Sequence, residues 1–235
     1  MFHPRGPTFL ELARQALSST ESGYDLLAPK FEYTPYRTPD EIVAAVVDRV
    51  GEAERVLDLG CGTGAGMKAL KTRCREVVGI DISEGMLRQG RELSRDWPGD
   101  AELRWIRGDA LALPFHQEFD AVVCFGAFGH ILPEQEAQLV DNIYRVLRPG
   151  GRFVFVTSPR PGLNTLRYWR SRGFNAVMRV RNWLWRPPFI MYYLTFLLPR
   201  ATRLLQARGF DIEADFSRLS EQQLVLVQAR RLLPE

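Results

Sequence analysis

Cysteine is scarce in this chain. Cys61, Cys74 and Cys124 are the only three, and no C-x-x-C pair occurs. A disulfide scaffold or a thiolate zinc site needs more thiols at tighter spacing, so reduced cysteines in a cytoplasmic protein are expected. Histidine is as sparse, at positions 3, 116 and 130. No His/Cys/Asp/Glu group has metal-ligand spacing, so no metal is expected. Charge is nearly balanced, with 31 basic and 28 acidic residues and a net charge of +3. That balance alone gives no reason to expect a nucleic-acid partner. No apolar h-region follows Met1-Phe2-His3-Pro4-Arg5, so no secretory signal is expected. The longest apolar run, Phe189 to Leu198, falls well short of the roughly 20 residues that span a bilayer. Internal repeats and low-complexity tracts are absent. So is any acidic residue from Asn142 to Phe210.

What the chain does have begins at Val56-Leu57-Asp58-Leu59-Gly60-Cys61-Gly62-Thr63-Gly64-Ala65-Gly66. A buried strand stops at an acid and opens into a glycine-rich turn, and a helix follows. Glycine lets the backbone take φ > 0 and approach a ligand closely. In an open α/β sheet, ligands bind in the crevice beyond such strand ends. The glycines alternate and match the dinucleotide spacing G-x-G-x-x-G poorly. Asp58 would also repel a pyrophosphate while attracting a cation. Asp81 ends the next apolar run, about 20 residues on, at the spacing of a ribose-binding acid. Asp109 follows a third run, Leu103 to Gly108. Three acids at successive strand ends suit a ligand with a cationic group, a ribose and an adenine amine. S-adenosylmethionine has all three.

The segments Val56 to Gly64, Val78-Gly79-Ile80-Asp81-Ile82-Ser83, Gly108-Asp109-Ala110 with Leu113-Pro114-Phe115, Phe119 to Val123, and Arg145 to Gly151 with Phe153-Val154-Phe155 occur in one order. In that order the chain resembles the class I S-adenosylmethionine-dependent methyltransferases, and within them the small-molecule branch that includes the ubiquinone and menaquinone methyltransferases. The resemblance covers Arg55 to Val156. It implies an α/β fold: a Rossmann-like, doubly wound, mostly parallel sheet with a C-terminal antiparallel hairpin and a helical insertion before the last two strands. It implies S-adenosyl-L-methionine as cofactor, held by Asp58, Gly60, Cys61, Gly62, Thr63, Gly64, Asp81, Ile82, Met86, Gly108, Asp109, Ala110, Phe125 and Gly126. The expected reaction is methyl transfer to a small hydrophobic or aromatic acceptor.

Along the chain, Thr8 to Leu17 predicts a short amphipathic helix. Ser18 to Thr38 is aromatic, rich in turn formers and without period, so residues 1–38 are expected to form a lid over the cleft. Thr38, Pro39 and Glu41 predict a capping box opening a helix that runs to about Val50. Strands and helices then alternate to Val156 as the cofactor core, 39–156. Pro133 is expected to start a helix that Arg148-Pro149-Gly150-Gly151 ends. Residues 157–200 predict two or more helices, and 201–235 the closing strands.

The insertion carries nine aromatic residues from Tyr168 to Phe196 and eight arginines from Arg160 to Arg200. As a substrate cap it would offer Trp183, Trp185 and Tyr192, facing Tyr24 and Tyr36 of the lid across an apolar pocket. As an interfacial patch it would bring the protein to a membrane surface. As a nucleic-acid surface its arginines would meet phosphates. The cap reading is preferred, with membrane contact as an addition. His130, at the substrate end of the fourth strand, is the candidate general base. Two other readings stay open. A nucleic-acid methyltransferase would need an Asn/Asp-Pro-Pro-Tyr/Phe-type motif where Cys124 to His130 stands. A non-catalytic S-adenosylmethionine-binding protein would lack turnover.

Overall fold

The computed structural model describes residues 3–216 and 224–233. Its helices and strands, in chain order, are α1 (Phe9–Leu17), α2 (Thr20–Leu27), α3 (Asp40–Val50), β1 (Arg55–Leu59), α4 (Ala65–Leu70), β2 (Glu76–Asp81), α5 (Glu84–Leu93), β3 (Glu102–Arg107) and β4 (Phe119–Cys124). There follow α6 (Glu136–Val146), β5 (Leu147–Thr157), α7 (Leu166–Leu184), α8 (Leu198–Ala207), β6 (Phe210–Asp215) and β7 (Val225–Arg231). Among the described residues the strands form one sheet in the order β3-β2-β1-β4-β5-β7-β6. The β1–β5 pairings are parallel, whereas β7 runs antiparallel to β5 and to β6. This is the mostly parallel sheet with a closing hairpin that the motifs imply. The hairpin's connection, 217–223, lies outside the described residues.

The central strands are apolar on both faces because helices cover both faces. Neighbouring residues alternate between two cores. Leu57, Val122, Phe153 and Phe155 point into one, with Leu139, Ile143 and Leu205. Val56, Val123 and Val154 point into the other, with Val43, Val46, Val47 and Val50 of α3. Those four valines recur at i, i+3, i+4 and i+7, the period of one helix face. Phe128 stacks on Phe196 at 4.6 Å, and Phe153 on Phe155 at 4.4 Å between ring centroids. This cluster holds the chain after β4 against the segment entering α8.

Several local expectations need correction. Residues 18–38 are not aperiodic: Ser19 accepts a hydrogen bond from the Ser22 N–H and caps α2, and a 3-10 turn spans Ala28–Tyr33. The capping box at Thr38 does not form. The Thr38 hydroxyl donates to the Phe125 carbonyl at 3.1 Å, and α3 starts at Asp40 with Pro39 in extended backbone before it. Asp40 and Glu41 in the first turn still complement the positive end of the helix. Pro133 opens a turn, and α6 begins three residues later. Arg148-Pro149-Gly150-Gly151 does not end a helix but opens β5, since α6 stops at Val146. The insertion holds one long helix, α7, followed by an irregular return. Its second helix, α8, begins only at Leu198 and packs on the sheet through Ala201 and Leu205.

Candidate active site

A cleft of about 360 Å³ lies at the carboxyl ends of the parallel strands. The glycine loop forms its floor. Gly60 and Cys61 donate backbone N–H groups to the Ile80 carbonyl at 2.8 and 3.1 Å, which ties the loop to β2. Gly62 sits at φ 54°, in the left-handed region, and donates its N–H to Asp81 Oδ2 at 2.9 Å. A side chain on Gly66 would strike the Phe125 ring and Asp58 Oδ2. That close approach lets the first turn of α4 pack on both strand ends.

The three acids take three different positions. Asp81 lines the cleft, and its Oδ1 accepts the Ser83 N–H at 2.9 Å. Burial raises its pKa, while the N–H groups of Ser83, Gly62 and Ile82 pull the other way. Its carboxylate is therefore aimed and still has lone pairs for ribose hydroxyls. Asp109 lines the cleft more openly, with Oδ1 taken by the Leu111 N–H at 2.8 Å. Asp58 lies beneath the loop, 1 % exposed, and neither carboxylate oxygen has a well-formed hydrogen bond. Burial first, then the charge of Asp81, push its pKa up to about 8, with the Met67 backbone opposing. An orphaned buried carboxylate of this kind costs stability unless a cation or proton satisfies it. This residue set fits S-adenosylmethionine, which offers an ammonium for Asp58 and a ribose for Asp81.

The structure brings most of the expected site residues together. Gly60, Cys61, Gly62, Thr63, Asp81, Ile82, Met86, Gly108, Asp109, Ala110, Phe125, Gly126, His130, Tyr24 and Tyr36 all line the cleft. Met86 is at once core and lining, at 1 % exposure. Burial pushes the Cys61 thiol well above its ordinary range, so it stays protonated and serves no nucleophilic role. Asp58, buried beneath the loop, is not among the residues lining the cleft, and neither is Gly64. Gly64 takes φ 90° at the start of α4, against the rings of Trp97 and Trp105.

Three expected substrate residues are also elsewhere. Trp183 and Trp185 are 79 % and 54 % exposed and do not line the cleft. Tyr192 accepts from Asn182 Nδ2 at 3.2 Å, and its backbone N–H donates to the Gly129 carbonyl. The reason is local. Asn182 holds the return segment at Phe189, which turns Ile190 rather than Tyr192 into the cleft.

Sequence reasoning also missed Thr20, Phe31, Arg37, Gln135 and Ile190, which are among the other residues lining the cleft. Arg37 is neutralised by Glu32 at 2.9 Å and Asp40 at 2.6 Å. Glu32 in turn accepts from the Thr63 hydroxyl at 2.6 Å. Asp25 accepts from the Ser83 hydroxyl at 2.6 Å and the Gly85 N–H at 2.8 Å, at the N-terminus of α5. The N-terminal segment is thus fastened at two points, to the glycine loop and to the start of α5. No local pattern marks these acids, because their donors lie about 30 and 60 residues further along the chain.

His130 is gripped from both sides. Nδ1 lies 2.5 Å from the Ile190 carbonyl and Nε2 lies 2.9 Å from the Tyr24 hydroxyl. A carbonyl only accepts, so Nδ1 carries the proton and Nε2 accepts from Tyr24. Burial lowers the His130 pKa and raises that of Tyr24, where the Asp81 charge adds to the effect. The pair is neutral at pH 7, with a basic nitrogen behind a phenol. Among the described residues no cluster could hold a metal ion.

Comparison with known proteins agrees with this geometry. A methyltransferase domain matches residues 56–151. The chain is 38% identical to a demethylmenaquinone methyltransferase of Clavibacter sepedonicus over 128 residues, 54% of this chain and 48% of that one. It is 27% identical to a ubiquinone/menaquinone biosynthesis C-methyltransferase of Proteus mirabilis over 214 residues, 89% of this chain and 84% of that one. The chain spans about half the length of the Clavibacter relative. Among solved structures, magnesium protoporphyrin IX methyltransferase of Synechocystis, with bound S-adenosylhomocysteine, shares the fold. Its TM-score is 0.61 at 18% identity, covering 90% of this chain and 95% of that one. Residues 56–151 thus match a methyltransferase domain, and the chain shares its fold with a methyltransferase crystallised with S-adenosylhomocysteine.

Proposed function

We propose that this chain transfers a methyl group from S-adenosylmethionine to a small hydrophobic or aromatic acceptor bound beside His130. The observation that carries the reading is the junction of two surfaces in one cleft. One is the loop with Asp81. The other is a wall of Tyr24, Phe31, Tyr36, Phe125, Ile131 and Ile190. The cofactor supplies an electrophilic methyl on sulfonium, and the protein's work is to align the acceptor with it. Asp81 and the loop fix one end, Asp58 beneath the loop supplies the negative charge toward which the ammonium is drawn, and the apolar wall excludes water around the acceptor.

The relatives' names point to a quinone-type ring as acceptor, methylated at carbon. Such a carbon becomes more nucleophilic when a neighbouring hydroxyl loses its proton. Tyr24 and His130 provide the route. The acceptor hydroxyl donates to the Tyr24 oxygen as the Tyr24 proton moves to His130 Nε2. The Ile190 carbonyl stabilises the imidazolium that forms. Residues 1–38 act as a lid and 157–200 as a cap whose contribution to the cleft is Ile190. Contact of 157–200 with a membrane would give access to an acceptor dissolved there.

Incubation with methyl-labelled S-adenosylmethionine and a panel of naphthohydroquinones, phenols and nucleic acids tests the reading. Label should enter a hydroquinone or phenol. Label entering nucleic acid alone, or no turnover while the cofactor stays bound, would replace it with one of the two other readings.

A further inference from the structure

A surface helix ordinarily turns its apolar stripe inward. Helix α7 does the reverse. Its inner face is fixed by two asparagines seven residues apart. Asn175 brackets the backbone of Tyr193, accepting from its N–H and donating to its carbonyl, both at 2.8 Å. Asn182 brackets Phe189 in the same way, at 2.9 and 3.0 Å. Met178 lies between them and is the helix's one buried residue. On the opposite face Leu166, Trp169, Val177, Val180, Trp183 and Leu184 are 55–79 % exposed. With Gly173 they recur at intervals of three and four, one continuous stripe along about 28 Å of helix. A solvent-facing stripe of this kind marks a surface that something covers.

Charge says what covers it. Arg170 flanks the stripe on one side, and Arg172 and Arg179 flank it on the other; all three are exposed. Among the described residues no salt bridge engages them. The chain has no acidic residue from Asn142 to Phe210 to neutralise them. A second copy paired along this stripe would set arginine against arginine, so self-association is disfavoured. Nucleic acid would satisfy the arginines but leave leucine and valine in water. A bilayer surface with anionic headgroups satisfies both, with the stripe at the acyl boundary and the guanidinium groups among phosphates. No helix among the described residues is long and apolar enough to cross a membrane.

We infer that the outer face of α7 docks the protein in plane on an anionic lipid surface. The inner face of the same helix holds the return segment whose Ile190 lines the cleft and bonds His130. This places the lipid-facing element one side-chain layer from the acceptor wall. The link to a membrane-dissolved acceptor rests on the methyltransferase reading above, whereas the docking face does not.

Flotation of the full chain with vesicles tests the inference. The probes are phosphatidylcholine alone and an equal mixture of phosphatidylcholine and phosphatidylglycerol. The chain should float with the mixed vesicles, and added salt should weaken that binding. Val177→Glu with Val180→Glu should lower vesicle binding at least about tenfold, since each burial lost and each like charge added opposes it. Leu166→Gln with Leu184→Gln is the second variant should the first not fold. Arg170→Gln with Arg172→Gln should remove only the preference for phosphatidylglycerol. Chain that ignores mixed vesicles overturns the inference. So does binding that survives both stripe variants, or a stripe-dependent dimer or nucleic-acid complex in place of vesicle binding. Calorimetry of S-adenosylhomocysteine on the same samples separates the two claims. Intact cofactor binding without flotation sinks the docking face alone, and flotation without cofactor binding sinks the methyltransferase reading alone.

Discussion

Strand β4 and helix α7 carry comparable apolar side chains and place them oppositely. The six residues of β4 bury Phe119, Ala121, Val122, Val123 and Cys124. The 19 residues of α7 bury Met178 alone. In the sheet, helices on both faces leave an apolar run nowhere else to go. In α7 the polar clamps Asn175 and Asn182 decide the facing, and the apolar stripe is what remains outside. Apolar content therefore says little about burial until the polar partners on the other face are known. The same contrast separates the two halves of the proposed function: a cleft built on rigid strand ends, and a surface layer that adds one side chain to it.

The sharpest test of the strand-end half is His130. If Tyr24 and His130 carry the acceptor's proton, His130→Asn should cut kcat roughly a hundredfold to ten-thousandfold while leaving cofactor affinity unchanged. Tyr24→Phe should follow it in direction. Steady-state kinetics with a hydroxylated acceptor checks both, and an undiminished kcat would remove the relay.

Stability should divide along the same line. Phe155→Ala, which removes a ring stacked on Phe153 and set edge-on to Phe128, should cost about 3–5 kcal/mol in denaturant unfolding. Asp58 adds a pH dependence. Its folded pKa, about 8, lies above the ordinary value of 3.8. The folded state then holds a proton that the unfolded chain gives up. This contribution to stability is complete below the unfolded pKa and is lost as pH rises through about 8. The slope approaches 1.4 kcal/mol per pH unit (roughly one proton's worth) between those limits, and Asp58→Asn should flatten it. Unfolding midpoints across pH, without cofactor, measure the difference. The smallest effect belongs to α7. Val180→Ala removes an exposed side chain and should change stability by no more than about 0.5 kcal/mol. A large loss there would mean the stripe is packed, and would erase the contrast between the two regions.

The strand-end half was readable from the chain because its signals are local. At β1 an apolar run, an acid and a glycine turn follow one another closely, and an acid also closes the runs of β2 and β3. The parallel sheet and most of the cleft lining follow from that, and the closing hairpin from the family resemblance. The fastening acids Asp25 and Glu32 were not readable, since their partners Gly85 and Thr63 are about 60 and 30 residues away. The tryptophans misled for a related reason. Trp183 and Trp185 have the right chemistry for a substrate wall, but two asparagine clamps set which face of α7 turns inward. Nothing in the aromatic pattern reveals a clamp whose other half is a backbone seven or 18 residues on. His130 was found from its place after a strand, whereas its partners Tyr24 and Ile190 come from both ends of the chain.

The account stands most directly on the cleft's choice of ligand. Titration calorimetry of the full chain with S-adenosylhomocysteine, and in parallel with NAD, measures it. The account predicts S-adenosylhomocysteine binding with no comparable NAD binding. It also predicts about tenfold to a hundredfold weaker binding in folded Asp81→Ala, from loss of charge-assisted bonds to the ribose. Preferential binding of NAD, or unchanged affinity in Asp81→Ala, would contradict it.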